Sequence, residues 1–430
     1  MTEALIGFVA LLSLSFLRVP IAFSMMIVGF FGMAAVNGFE GALANVGQTA
    51  FDSAINYELS VVPLFILMGN FVTRARLSEE LYAASNAFLG HRKGGLAMAT
   101  IVACGGFSAV CGSSLATAAT MAKVAMPSMR RFGYDDGLAA GAIAAGGTLG
   151  ILIPPSVLLV IYGILTQTNI GKLFAAGIIP GIIGIIFYLM AVRVMITIRP
   201  ELGPPAEKSS WAVRWQTMRG VWGVAALFVF VMGGIYGGVF SPTEAAGIGA
   251  AGAFFFAVKR HTMTRHVFYE VLIESAATTA MLFTVLIGAL LFANFINLST
   301  FPDTLLSIAS GFKDQPDLVI LAILVIYIFL GCVFESLSMI LLTVPIFFPL
   351  VQQLGYDPVW YGIVVVVITE ISLITPPVGL NVFVLRGVLS DVRTTTIFRG
   401  VTAYWIADLF RLAVIVWFPA LSLWLPSFVR

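Results

Sequence analysis

Two stretches of this chain carry a doubled proline inside a long apolar run. They are GTLGILIPPSVLLVIYG at 147–163 and TEISLITPPVGLNVFVLRG at 369–387. Proline removes a backbone donor and clashes with the carbonyl four residues back, so two in succession unwind a helix. Carbonyls ahead of such a break lose their partners. Inside a membrane they are tolerated only where they face protein, water or an ion. The half-helix that restarts near Ser156 offers free N–H groups and a positive dipole end to an anion. In the second stretch Glu370, Ser372 and Thr375 precede the break and Asn381 follows it. The chemistry predicted is cation coordination by released carbonyls and hydroxyls, next to anion binding by the restarted helix. The plain alternative is a pair of ordinary proline kinks.

Two further segments add to this set. Residues 96–128 hold two apolar arms around ACGGFSAVCGSS (103–114), and each arm of about 14 residues is short for a crossing. The segment therefore reads as a re-entrant hairpin with Gly112, Ser113 and Ser114 at its tip. Small residues let such a tip approach a broken helix. Its carbonyls and hydroxyls are hard oxygen ligands that suit Na⁺, by the logic that gives hard cations oxygen coordination. The alternative is a small-residue contact face between helices. The second hairpin is LGCVFESLSMILLTVPIFFP at 330–349. It puts Glu335 at its tip, and a carboxylate at membrane depth is costly and by default functional.

The elements that must carry these groups are membrane helices. Hydrophobic residues make up 60% of the 430, charged residues only 10%, and the mean hydropathy is +1.02. A soluble domain carries about 25% charged residues, too many to reconcile with this chain. A net charge of +2 offers no basic field for nucleic acid. Three cysteines in apolar surroundings exclude a disulfide scaffold. Scattered Cys and His give an enzyme no clustered nucleophile, base or metal set.

Candidate crossings are 3–17, 20–37, 59–75, 173–197, 220–240, 243–258, 271–295 and 398–425, besides the interrupted stretches 137–169 and 359–391. The first residues lack a basic start and a small-residue cleavage site, so they are expected to be a crossing and not a leader. With the N-terminus outside, 18 of the 23 Lys and Arg fall in inside loops. Only Lys172, Lys313 and Arg430 fall outside, while Lys123 and Arg411 lie within apolar segments. The positive-inside rule therefore predicts both termini outside. Residues 199–219 read as a polar linker, 76–93 as an interfacial amphipathic helix, and 302–314 as its counterpart. Asp408 and Arg411, three apart, are expected to neutralise each other.

The two halves match at a fixed offset of 222 residues. Pro20, Pro127, Pro154 and Pro155 fall on Pro242, Pro349, Pro376 and Pro377, and Gly133-Tyr134-Asp135 falls on Gly355-Tyr356-Asp357. Each half has an odd number of crossings, so the second copy must sit upside down. Inverted repeats of this kind are a signature of secondary transporters. The expected fold is all-α: a polytopic membrane protein of two inverted repeats, each with one re-entrant hairpin and one broken helix. The expected divisions are 1–90 (scaffold and arm), 91–198 (transport part), 199–219 (linker), 220–312 (scaffold and arm) and 313–430 (transport part).

GSS at 112–114, the segment 127–135, LGILIPPS at 149–156, SPTEAAG at 241–247 and TPPVGLN at 375–381 together resemble the large membrane subunit of TRAP transporters, the tripartite ATP-independent periplasmic transporters. The resemblance covers essentially the whole chain. It implies an elevator-type, sodium-driven importer of organic acids in a bacterial inner membrane, such as a C4-dicarboxylate or a sialic acid. It also implies two partners: a small four-helix membrane subunit, expected as a separate chain, and a periplasmic substrate-binding protein. Carried onto matching positions, it implies one Na⁺ at Cys111 and Ser113 with Gly150, Ile153 and Pro155, mostly through backbone carbonyls. The repeat extends this to a second Na⁺ near Gly331 and Phe334 with Ser372 and Thr375. Substrate would lie between the tips, at Ser114, Ser156, Glu335 and Asn381. Where this chain has Glu335, many relatives carry Asp. A stand-alone Na⁺/carboxylate symporter without a binding protein is the alternative.

Overall fold

The computed structural model describes residues 2–312 and 315–429; Lys313 and Arg430, two of the bases expected outside, fall beyond them. Among the described residues every regular element is a helix. The first half runs α1 (Thr2–Phe16), α2 (Ile21–Asn37), α3 (Phe39–Ile55), α4 (Val61–Arg74), α5 (Leu77–Leu89), α6 (Gly95–Cys111), α7 (Ser114–Arg131), α8 (Asp136–Thr148), α9 (Val157–Thr166) and α10 (Ile170–Ile198). The second runs α11 (Trp211–Tyr236), α12 (Pro242–Lys259), α13 (Arg265–Leu298), α14 (Phe301–Ser310), α15 (Pro316–Gly331), α16 (Ser336–Gln353), α17 (Pro358–Ser372), α18 (Leu380–Val388), α19 (Thr394–Trp417) and α20 (Ala420–Leu423). Adding 222 to α5 through α10 lands on α14 through α19 within a few residues at each end. The start of α7 at Ser114 falls on the start of α16 at Ser336.

The repeated Gly-Tyr-Asp has a local physical reason. Gly133 and Gly355 turn the chain at φ +75° and +85°, a region that favours glycine. The tyrosine that follows closes the base of each hairpin. Tyr134 accepts from the Leu96 N–H at 3.0 Å, and the Tyr356 hydroxyl donates to Asp317 at 2.6 Å. The aspartate then caps the next helix: Asp135 accepts from the N–H groups of Gly137 and Leu138, and Asp357 from those of Val359 and Trp360.

Among the described residues five helices (α10, α11, α13, α16 and α19) are long and apolar enough to cross a membrane unaided. The doubled prolines split two other apolar runs into halves that are each too short. α2 packs along α13, and α4 along α12. Under the shift these are one pairing exchanged between the halves.

Four expectations change. The stretch 38–58, which lies outside between the expected crossings 20–37 and 59–75, is mostly helix: α3 buries Ala42, Thr49 and Ser53 and meets α4 at a 62° bend. Its equivalent is the first half of the continuous α13. The linker ends at Ser210, whose hydroxyl accepts from the Val213 N–H and starts α11 nine residues earlier than expected for a loop ending at 219. Arg214, expected in that loop, is buried. It donates to the Ala87 carbonyl at 3.1 Å and lies over the Trp211 and Phe88 rings, pinning α11 to α5. The hairpin arms run 16 to 18 residues, longer than the 14 expected.

Arg130, at the end of α7, pairs with Asp136 at 2.9 Å and with Asp391 at 2.7 Å, tying the halves together at one surface. The Arg130 guanidinium holds the Asp391 carboxyl below its ordinary value. The folded value being the lower one, the pair stabilises the fold above about pH 4 and loses that contribution as pH falls through the folded value. Asp391→Asn should therefore lower the melting temperature slightly at neutral pH, as exposed pairs do. That gap should close in acid, and melting curves at pH 7 and pH 3 check it.

Candidate functional site

In the first half the hairpin tip sits directly on the broken helix. Cys111 ends α6, so its carbonyl has no donor within the helix. Gly112 turns at φ +65°, and the Ser113 hydroxyl caps α7 by accepting from the Ala116 N–H. A side-chain carbon on Gly112 would stand 2.9 Å from the Pro155 carbonyl oxygen. One on Gly150 would stand 2.8 Å from the Ser113 carbonyl oxygen, and one on Gly69 2.8 Å from that of Cys111. These glycines are where backbone meets backbone. They let the carbonyls of Cys111, Ser113 and Pro155 lie against Gly69, Gly150 and Gly112 in turn. The Ser113 carbonyl accepts from the N–H and hydroxyl of Thr117, at 3.0 and 2.7 Å. Ile153 packs its side chain against Gly105 and Gly181, leaving its backbone in the break.

The second half repeats the arrangement with side chains added. Gly331 ends α15 against Ser372, whose side chain a carbon on Gly331 would overlap. Phe334 is buried at the tip, and the Cys332 thiol lies 3.7 Å from the Pro376 carbonyl. The hydroxyls of Ser372 and Thr375 donate to the Thr369 and Ile371 carbonyls at 2.6 Å each, and Trp405 donates to Thr375 at 2.9 Å. Both Pro-Pro bonds are cis. The breaks differ in access: Pro154 and Pro155 are buried, whereas Pro376 and Pro377 are exposed.

The four residues expected to touch substrate are distributed around these two clusters. Ser114 is buried at the start of α7. Ser156 is fully buried; its hydroxyl donates to the Ile151 carbonyl across the break and caps α9 by accepting from Leu159. Glu335 is half-buried at the head of α16, accepting from the Ser338 hydroxyl at 3.1 Å. Asn381 is fully buried and donates to the Ala144 carbonyl at 3.0 Å, so α18 of the second half is bonded to α8 of the first. Among the described residues no hydrogen bond joins these four to one another. Helix packing does connect the halves: α7 lies against α18, and α16 against α9. Each hairpin thus braces the far half of the other broken helix.

Sequence reasoning missed one group of buried charges. Asp408 and Arg411 do pair, at 3.1 Å, but Arg411 also holds Glu370 of α17. Glu244, for its part, forms a capping box with Ser241, and Glu274 pairs with Arg74 at 3.6 Å.

The shape of this assembly has a counterpart among solved structures. The chain superposes on Neisseria gonorrhoeae MtrF, described as one of a class of antimetabolite efflux pumps, with a TM-score of 0.60 over 89% of this chain and 85% of that one. At 12% identity the likeness concerns the fold alone. Sequence decides the family. Residues 8–421 match the family described as tripartite ATP-independent periplasmic transporter, DctM component. This chain belongs to the DctM family. It is 36% identical to the C4-dicarboxylate TRAP transporter large permease protein of Pseudomonas aeruginosa, over 88% of each chain. It is also 32% identical to the sialic acid TRAP transporter large permease protein of Vibrio cholerae, over 97% of this chain and 96% of that one. As a DctM-family chain it is a multi-pass membrane subunit of a transporter and not an enzyme.

Proposed function

We propose that this DctM-family chain is the sodium-coupled, substrate-carrying subunit of an organic-acid importer, with C4-dicarboxylates and sialic acids as the leading substrate classes. The observation that carries this reading is the duplicated seating of a hairpin tip on a broken helix. At the first seat the Cys111, Ser113 and Pro155 carbonyls each lie against a glycine, and at the second Gly331 lies against the Ser372 side chain. Neutral oxygens at close range make a site for a small hard cation, and no carboxylate is needed to supply it. The first Na⁺ would use Cys111, Ser113, Gly150, Ile153 and Pro155, and the second Gly331, Phe334, Ser372 and Thr375. Ser114 and Glu335 at the tips, with Ser156 and Asn381 at the restarted helices, would face substrate.

In this reading the repeats are inverted, the termini lie on the periplasmic side of an inner membrane, and the halves 91–198 and 313–430 move as one body against the scaffold. An empty cavity holding Glu335 is costly in lipid, so only the loaded carrier crosses readily. The name of the family, tripartite, supports two partners, a small membrane subunit and a periplasmic binding protein that delivers substrate.

The cysteines provide a test without mutation. Cys332 is half-buried at the second seat, whereas Cys104 and Cys111 are buried. A maleimide should label Cys332 first, and Na⁺ should slow that labelling severalfold compared with K⁺ or choline. A rate indifferent to Na⁺ would remove the second site.

A further inference from the structure

Between the two breaks runs a line of side chains that the proposed ion and substrate sites leave unused. Glu370, Arg411, Asp408, Tyr188 and Thr148 are each fully buried. Arg411 holds Glu370 through Nη2 and Asp408 at 3.1 Å. The Tyr188 hydroxyl donates to Asp408 at 2.6 Å. With its proton committed there, Tyr188 can only accept from the Thr148 hydroxyl 2.9 Å away, whose single proton has the Ala145 carbonyl at 2.8 Å as its other acceptor. The guanidinium fits because residue 184 is glycine; a side-chain carbon there would overlap Nη1.

The two ends of this line are equivalent positions. Thr148 plus 222 is Glu370. Thr148 is the last residue of α8, two before Gly150, and Glu370 lies two before Ser372, which ends α17. The line therefore joins the last helical turn ahead of one break to the last turn ahead of the other. The residues between the ends have no repeat-related copies: Tyr188 shifts onto Phe410, and Asp408 and Arg411 shift back onto Ile186 and Leu189. A single asymmetric bridge thus spans a symmetric pair of sites. Buried charges cost free energy, and an apolar substitute of similar volume is often no less stable. Bare stability is a weak reason for placing three of them here.

We propose that this bridge makes the two sodium sites cooperative. The inference rests on the sodium reading above. An ion at the second break fixes Ser372 and the end of α17, and with it the Glu370 carboxylate. Glu370 orders Arg411, Arg411 orders Asp408, and the Tyr188 hydroxyl passes that order to Thr148 and the first break. The first ion to bind bears the ordering cost of both turns, so the second binds more tightly. Tyr188, Arg411 and Glu370 are positioning residues in this scheme; none of them touches an ion.

The test is the sodium dependence of uptake by the complete transporter in proteoliposomes. Wild type should give a sigmoidal curve. Tyr188→Phe, which loses one hydroxyl and no charge, should remain sodium-dependent with a Hill coefficient near one and about fivefold weaker half-saturation. Thr148→Val should behave likewise, and Thr148→Ser should restore the sigmoid. Gly184→Ala displaces Arg411 without deleting a charge and should give the same hyperbolic curve. A merely structural role would lower the maximal rate and leave the Hill coefficient in place, which would overturn the proposal. So would a hyperbolic wild-type curve. A wild-type rate independent of sodium would instead sink the sodium reading itself.

Discussion

Gly150→Val is expected to reduce sodium-driven uptake about a hundredfold, with the protein still folded and inserted. A carbon at this position comes within 2.8 Å of the Ser113 oxygen, 2.9 Å of its carbonyl carbon and 3.1 Å of the Ser114 nitrogen. All three are backbone atoms at the head of a helix, so no flexible side chain can yield. The tip must withdraw, and the carbonyls proposed to share one cation separate. A misplacement of about 1 Å is enough for an effect of this size in a site that works by geometry. Gly247→Ala is the control: its nearest neighbour is Leu64 at 3.9 Å, an ordinary contact, and uptake should be unchanged. Uptake normalised to the amount of folded protein decides between a lost site and a lost fold.

Arg411→Met should be the most destabilising single change in the charged bridge. It strands Glu370 and Asp408 in the interior without a cation, and breaking a buried pair in this way costs about 3–5 kcal/mol. The destabilisation should be partly recovered by combining Arg411→Met with Glu370→Gln. The double variant leaves Asp408 as the one buried charge of the group without its cation, and that carboxylate keeps its bond from Tyr188. Thermal unfolding in detergent should show a larger drop for the single variant than for the double. Equal drops would mean that Glu370 gains nothing from Arg411.

Much of this architecture was legible because its determinants are local. A doubled proline in an apolar run breaks a helix wherever it occurs, and the structure breaks at Pro154-Pro155 and Pro376-Pro377. Gly-Tyr-Asp marks a turn, a hairpin base and a helix cap within three residues, so its recurrence supported the repeat. The same local logic paired Asp408 with Arg411. It failed where partners are distant in sequence. Glu370 reaches Arg411 across 41 residues and Tyr188 reaches Asp408 across 220, and only helix packing brings them together. Asn381 was read as a substrate candidate after a break, and its bond to Ala144, 237 residues away, was not visible in the sequence. α3 was missed because Glu40, Asp52 and Glu58 marked the stretch as outside, while the alanines between them favour helix and bury one face. Arg214 was counted as a loop base because the sequence gives no sign that the Trp211 and Phe88 rings and the Ala87 carbonyl surround it.

The central claim is that sodium entering the two seats drives the substrate. The most direct test is uptake of a C4-dicarboxylate or a sialic acid into proteoliposomes holding this chain with its small membrane subunit and binding protein. An inward Na⁺ gradient should support accumulation above the external concentration, and an equal gradient of K⁺ or choline should support none. Accumulation at the same rate without sodium would contradict the account.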